Sequence, residues 1–168
     1  LADTDHEVLL FDPQTPWEKP CGGGLGPLIG QCVPEVLALP FPRRHPERLL
    51  LQASDGSQTE LTFKHPPLAI VARADLGRAL LERACENSRV RHVRQKVTRL
   101  EQDGDGWSLH TSANGTFSAD YVVGADGVRS VVRQRVVGPI PRQPLALASG
   151  YRMDGASDAV VFETYADL

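Results

Sequence analysis

The chain has 168 residues, of which 41% are hydrophobic, enough to bury the core of one ordinary domain. A formal net charge of -3 and an isoelectric point near 5.9 argue against a nucleic-acid partner. Cys21, Cys32 and Cys85 lack C-x-x-C spacing, which argues against a disulfide scaffold or a zinc site, and no stretch is long and apolar enough to span a bilayer as a helix.

Leu1 to Asp5 reads as the end of a helix and its turn, and His6-Glu7-Val8-Leu9-Leu10-Phe11-Asp12 as a buried strand ending in an acid. In a dinucleotide-binding fold this is the second strand, with the Asp12 carboxylate placed for the adenosine ribose. The first strand and its glycine loop would precede Leu1, so the chain reads as part of a longer protein. Taken alone, Asp12 reads better as a strand-ending turn residue before Pro13.

Residues 13 to 47 carry eight prolines, which rule out long helices and leave loop-like chain. Within it lies Lys19-Pro20-Cys21-Gly22-Gly23-Gly24-Leu25. Gly22, Gly23 and Gly24 bear no side chains, so a flat ring or a long chain could pass close to the backbone. Gly22, Gly24 and Gly26 do not make a G-x-G-x-x-G fingerprint, because that loop follows a strand and precedes an acidic residue by about twenty positions. Here Asp12 comes first, and Pro27 interrupts the helix start. A flexible loop holding a buried, unreactive cysteine is the competing reading.

Arg48 to Ala53 and Thr59 to Phe63 flank Ser54-Asp55-Gly56-Ser57, which predicts a hairpin. Leu68 to Ala72 predicts a short strand. From Asp75 as N-cap, a helix is expected to about Asn87, with Leu76, Ala79, Leu80 and Ala84 on one face. Arg73, just before it, could bind a pyrophosphate bidentately or pair with a surface carboxylate. Arg89, Arg91, Arg94 and Lys96 interleave with Val90, Val93 and Val97, the pattern of a solvated strand face. Strands are expected at Val90 to Val93, Val97 to Gln102, Trp107 to Ser112 and Thr116 to Val123, with turns at Asp103-Gly104-Asp105-Gly106 and Asn114-Gly115. Beyond Pro139 and Pro141, Leu145 to Met153 and Ala159 to Tyr165 predict two more strands.

The most informative run is Gly124-Ala125-Asp126-Gly127-Val128-Arg129-Ser130-Val131-Val132-Arg133, directly after Tyr121-Val122-Val123. Average residue usage would give its Gly, Ala, Asp, Gly and Ser positions about once per million starting points. A strand that delivers the chain to a turn, a glycine that permits close backbone approach at Gly127, and a helix opening at Ser130 to Gln134 suit a phosphorylated, hydroxyl-rich cofactor. Asp126 could accept hydrogen bonds from sugar-like hydroxyls. The bland reading is a strand-turn-helix corner capped by Asp126.

The G-A-D-G-x-x-S-x-V-R run resembles the second FAD-contacting motif of the flavoprotein class that includes aromatic hydroxylases, squalene epoxidase-like enzymes and geranylgeranyl reductases. The resemblance implies that Asp126 holds the ribityl chain and that Gly127 lies near the pyrophosphate. The K-P-C-G-G-G segment is similar to that of the geranylgeranyl reductase branch, which implies that Cys21, Gly22, Gly23 and Gly24 lie against the flavin ring and a lipid pocket. Arg73, Leu76 and Leu80 match the pattern R-x-x-L-x-x-x-L of the class, implying a cofactor contact by Arg73, and backbone near Val97 is implied to lie against adenine. The Y-x-W-x-F-P segment usual in that branch does not occur within these residues.

The expected fold is therefore α/β, a partial FAD-binding Rossmann-like domain with an inserted antiparallel substrate-side sheet. Residues 1–47 would form the truncated FAD-binding unit and glycine-rich loop, 48–66 the substrate-side hairpin, 67–138 the continued FAD-binding domain and 139–168 the start of a substrate-domain sheet. The implied activity is FAD-dependent reduction of a carbon-carbon double bond in an isoprenoid lipid, with NAD(P)H or another reductant as electron donor and Cys21 as a catalytic group beside the ring. A flavin monooxygenase is the first alternative, and a non-catalytic flavin- or lipid-binding module the second. The expected setting is cytoplasmic, with transient contact at a membrane surface for a lipid substrate and no nucleic acid; no oligomeric state follows.

Overall fold

The computed structural model describes residues 5–21, 23–66, 68–141 and 159–163. In chain order the elements begin with β1 (Val8–Phe11), β2 (Gly24–Leu25), α1 (Leu28–Cys32), α2 (Glu35–Ala38), β3 (Arg48–Gln52), β4 (Gln58–Thr62) and β5 (Ala69–Ile70). They continue with α3 (Arg73–Cys85), β6 (Val90–Val93), β7 (Val97–Asp103), β8 (Gly106–Thr111), β9 (Thr116–Ala119), α4 (Val131–Val136) and β10 (Ala159–Glu163). Two compact units result, Leu1–Thr15 with Ala84–Leu147 and Pro16–Arg83 with Ala148–Leu168.

In the first unit β1 and β6 pair in parallel, from Val8↔Val90 to Phe11↔Val93. Parallel strands need a long crossover, and here the connection contains everything from Asp12 to Arg89. Strands β7, β8 and β9 form an antiparallel meander. Its first turn uses Gly104 at φ +59 and its second Asn114 at φ +58, both left-handed positions that glycine and asparagine tolerate. Leu100 faces Leu109 across β7 and β8, and Leu109 faces Phe117 across β8 and β9. Leu100 and Leu109 are buried, and Phe117 meets Phe11 edge-on at 5.0 Å between ring centroids. Each fully buried side chain of this kind contributes about 1.5–3 kcal/mol, so this cross-strand row supports the meander.

The strand expected from Thr116 to Val123 forms only over its first half. β9 ends at Ala119, and Tyr121 and Val123 are 88% and 73% exposed instead of buried. A strand exists by its hydrogen-bonded ladder, and among the described residues no strand pairs with this segment.

In the second unit the prolines act as the composition implies. α1 and α2 span five and four residues, with Pro27 and Pro34 at their N-caps. Arg43 donates to the carbonyls of Leu37 and Leu39 at the end of α2 and stacks over Phe41 at 4.4 Å. Val36, Phe41, Val71, Leu76 and Ala79 form the core, with Leu25, Ile29 and Leu39 against it. α3 starts at Arg73, two residues before the N-cap expected at Asp75, and Leu80 on its supposed inner face is 42% exposed. Its buried stripe narrows to Leu76 and Ala79, one turn apart.

The predicted hairpin forms: β3 pairs with β4 in antiparallel register from Arg48↔Thr62 to Gln52↔Gln58. Gly56 at φ +84 and the Ser57 amide donating to Asp55 close the turn. β10 joins β3 in parallel, so the sheet is mixed rather than purely antiparallel. The strand expected from Leu145 to Met153 lies outside the described residues. No described helix is long and apolar enough to cross a membrane.

Candidate functional site

The Gly124–Arg133 run folds into a tight turn and helix within the first unit. A 3-10 turn spans Gly127–Arg129, and α4 follows with Ser130 as its N-cap. The buried Ser130 hydroxyl accepts from the Arg133 amide at 2.9 Å, satisfying one of the free donors at the helix start. Asp126 reaches the same helix end, its Oδ2 accepting from the Val131 amide at 2.7 Å. Partial burial opposes the Asp126 charge, but hydrogen bonds from the Ser130 side chain and from the backbone of Val131, Asp126 and Val132 outweigh it and hold the carboxyl below its ordinary value. Asp126 is therefore an ionised acceptor at neutral pH.

Two glycines of the run are explained by what surrounds them. A Cβ on Gly124 would come within 2.8 Å of the Val132 Cβ, so the residue must be small for α4 to pack back on the turn. Gly127 has φ +76, and a Cβ there would meet nothing within 4 Å. Glycine is needed at that position for its backbone, and the space beside it is open. Arg133 links the turn to the end of α4, donating to the carbonyls of Val128 and Gly138.

Asp12 and Val97 lie in the same unit. Asp12 follows β1, where its carboxylate accepts from the Gln14 amide at 2.8 Å, the Thr15 amide at 3.0 Å and the Thr15 hydroxyl at 2.5 Å. The Asp12 carbonyl is hydrogen-bonded to the His92 ring at 2.9 Å, fixing the end of β1 to β6. Val97 opens β7 opposite Thr111, beside a register irregularity.

The other candidates lie in the second unit. Cys21 is exposed, against the reading of a buried thiol, and its Sγ accepts from the Gly23 amide at 3.4 Å. A Cβ on Gly23, whose φ is +68, would sit 2.0 Å from the Val71 carbonyl oxygen, and one on Gly24 3.2 Å from the Leu68 side chain. Close packing against the residues that flank β5 is thus a local reason for glycine at both positions. Gly22 lies outside the described residues. Arg73 is half-buried at the start of α3, and within its unit no described carboxylate pairs with its guanidinium.

Sequence reasoning missed Glu18. Its carboxylate accepts from the Arg73 amide at 3.0 Å and the Ala74 amide at 3.1 Å, capping α3 from 55 positions upstream. No local spacing marks such a contact; Asp75, which looks like the cap, pairs with Arg78 at 2.9 Å.

Comparison with known proteins adds what geometry alone leaves open. The family model described as FAD binding domain matches residues 35–146, well over half of the chain. A 3-hydroxybenzoate 6-hydroxylase of Polaromonas naphthalenivorans (strain CJ2) is 34% identical over 77 residues, covering 45% of this chain and 19% of that protein. A 3-amino-4-hydroxybenzoate 2-monooxygenase of Streptomyces platensis is 40% identical over 76 residues, again 45% of this chain and 19% of that protein. The matched part is thus about a fifth of these relatives' length. Among solved structures, p-nitrophenol 4-monooxygenase from Pseudomonas putida DLL-E4 superposes with a TM-score of 0.62 at 15% identity, covering 81% of this chain and 38% of that one. CtdE in complex with FAD gives a TM-score of 0.55 at 20% identity, covering 80% and 36%. At these identities the structural likeness speaks for the fold.

The residues of the Gly124–Arg133 turn fit this cofactor: an ionised acceptor for hydroxyls at Asp126 and an open backbone beside it at Gly127. FAD is the cofactor, and by its match over residues 35–146 the chain belongs to the FAD binding domain family.

Proposed function

We propose that this chain is the FAD-binding part of a flavin-dependent monooxygenase that hydroxylates an aromatic substrate bearing a phenol or carboxylate group. The observation that carries this reading is the 34–40% identity, over nearly half of the chain, to proteins named as hydroxybenzoate hydroxylases and monooxygenases. Reduction of isoprenoid double bonds fits less well. It rests on the Lys19–Leu25 segment, which falls outside the matched residues 35–146, and the relatives named above act on aromatic rings.

When bound, FAD supplies the redox step: electrons from a reduced nicotinamide and one oxygen atom from O₂. Overall, substrate, O₂, NAD(P)H and a proton give hydroxylated substrate, water and NAD(P)⁺. The protein's part is binding and orientation. Asp126 would accept hydrogen bonds from ribityl hydroxyls, Gly127 would let the pyrophosphate close to the backbone, and Arg73 would neutralise phosphate charge. Asp12 would serve the ribose hydroxyls, backbone near Val97 the adenine, and Gly22, Gly23, Gly24 and Cys21 the neighbourhood of the ring.

The test is made on full-length protein reconstituted with FAD and supplied with NAD(P)H and a panel of hydroxybenzoates. NAD(P)H oxidation, O₂ uptake and a hydroxylated product in equal amounts are expected. Anaerobic reduction of a geranylgeranyl lipid without O₂ uptake would replace this reading with the reductase one. Bound FAD that fails to turn over with every reductant supplied would indicate a binding module.

A further inference from the structure

We propose that Glu18 is a positioning residue that ties the glycine-rich segment to the start of α3, setting Arg73 in place for the cofactor. The inference rests on the reading of Arg73 as an FAD contact. Each Glu18 carboxylate oxygen takes one helix-end amide, Oε1 that of Arg73 and Oε2 that of Ala74. These are two of the donors a helix leaves unsatisfied at its start, and a negative charge there is favoured by the helix dipole. The nearby Asp75 is engaged with Arg78, so the cap comes from the distant segment.

A second stitch lies a few residues on. The Val71 amide donates to the Gly23 carbonyl at 3.0 Å, and Gly24 and Leu25 pair with Ile70 and Ala69. Cys21 is thus bracketed by Glu18 on one side and the β2–β5 ladder on the other, and both attachments lead to the few residues that end at Arg73. A segment pinned at both ends loses little further entropy when a ligand binds beside it. The cap has a chemical consequence as well. The first amides of α3 are occupied by the protein's own carboxylate, so attraction of an anion at this place falls to the Arg73 side chain.

Full-length protein is compared with Glu18→Ala, Glu18→Gln and Glu18→Asp. Gln keeps the chain length and one carbonyl acceptor, whereas Asp keeps the charge on a chain one methylene shorter. Without FAD, Glu18→Ala is expected to raise hydrogen exchange at the Arg73 and Ala74 amides at least tenfold, and to raise it at residues 23–25. With FAD, its dissociation constant is expected to rise about tenfold and the flavin absorption envelope to shift, Gln restoring part of both and Asp less. If Glu18→Ala does not fold, the ordering of wild type, Gln and Asp carries the same test. Unchanged exchange overturns the tether. Faster exchange with FAD affinity and flavin spectrum unchanged overturns the positioning role and leaves a plain helix cap. Wild-type protein that binds no FAD fails the cofactor reading instead, and the exchange result then stands alone for the tether.

Discussion

Asp126 combines two properties at one residue: it is tied to the start of α4 and it stays ionised. Asp126→Ala removes an acceptor for cofactor hydroxyls, a loss of about 1.5–3 kcal/mol for charge-assisted bonds. FAD affinity of the full-length protein is expected to fall about tenfold to hundredfold, measured by flavin fluorescence titration. An unchanged affinity in a folded variant removes Asp126 from the site. Because the folded-state value is depressed, the stabilisation Asp126 brings is fully present above the unfolded value near 3.8 and is lost as pH falls through the lower folded value. Between pH 5 and 8 this group contributes no pH dependence to stability. At Gly23 the obstacle is backbone: an alanine Cβ would meet the Val71 carbonyl oxygen at 2.0 Å, at a φ of +68. Gly23→Ala should cost about 2–5 kcal/mol in urea unfolding, from left-handed strain and overpacking together. Cys21, exposed beside the same loop, separates chemistry from scaffold. If its thiol takes part in proton transfer, Cys21→Ala leaves FAD bound and slows turnover about a hundredfold; a rate within threefold of wild type in stopped flow ends that assignment.

At the scale of elements, α4 is only six residues long, and such a helix depends on its ends. Ser130 both accepts the Arg133 amide and bonds Asp126. Ser130→Ala is expected to cost about 1 kcal/mol of stability and to raise the Asp126 pKa toward its ordinary value, read by calorimetry and by carboxyl NMR titration. A stability loss with the Asp126 titration unmoved would show that the two roles are separate. α3 illustrates the limit of local reading. Its helical period and the Leu76 and Ala79 stripe were legible, whereas its cap arrives from Glu18. The hairpin of β3 and β4 was legible to its turn, because Asp55 and Gly56 act on their own neighbours.

For the whole molecule, FAD should act as a ligand of the native state. At a free concentration one hundred times its dissociation constant, it is expected to stabilise the full-length protein by about 2.7 kcal/mol, seen as a rise in Tm that grows with the logarithm of FAD concentration. A Tm indifferent to FAD would argue against native-state binding.

The sequence by itself determined the things that local chemistry decides: the cofactor class through Gly124–Arg133, the turns at Gly56, Gly104 and Asn114, and the α/β character of the fold. Tertiary structure decided the rest. Tyr121–Val123 has every mark of a strand yet forms none among the described residues, since a strand needs a neighbour's backbone and composition cannot supply one. Gly23 and Gly24 read as an open slot, and only the folded chain shows the Val71 carbonyl and the Leu68 side chain beside them. The partner of the Glu18 carboxylate, likewise, is set by which distant amides the fold leaves unsatisfied, a property that no spacing within the segment encodes.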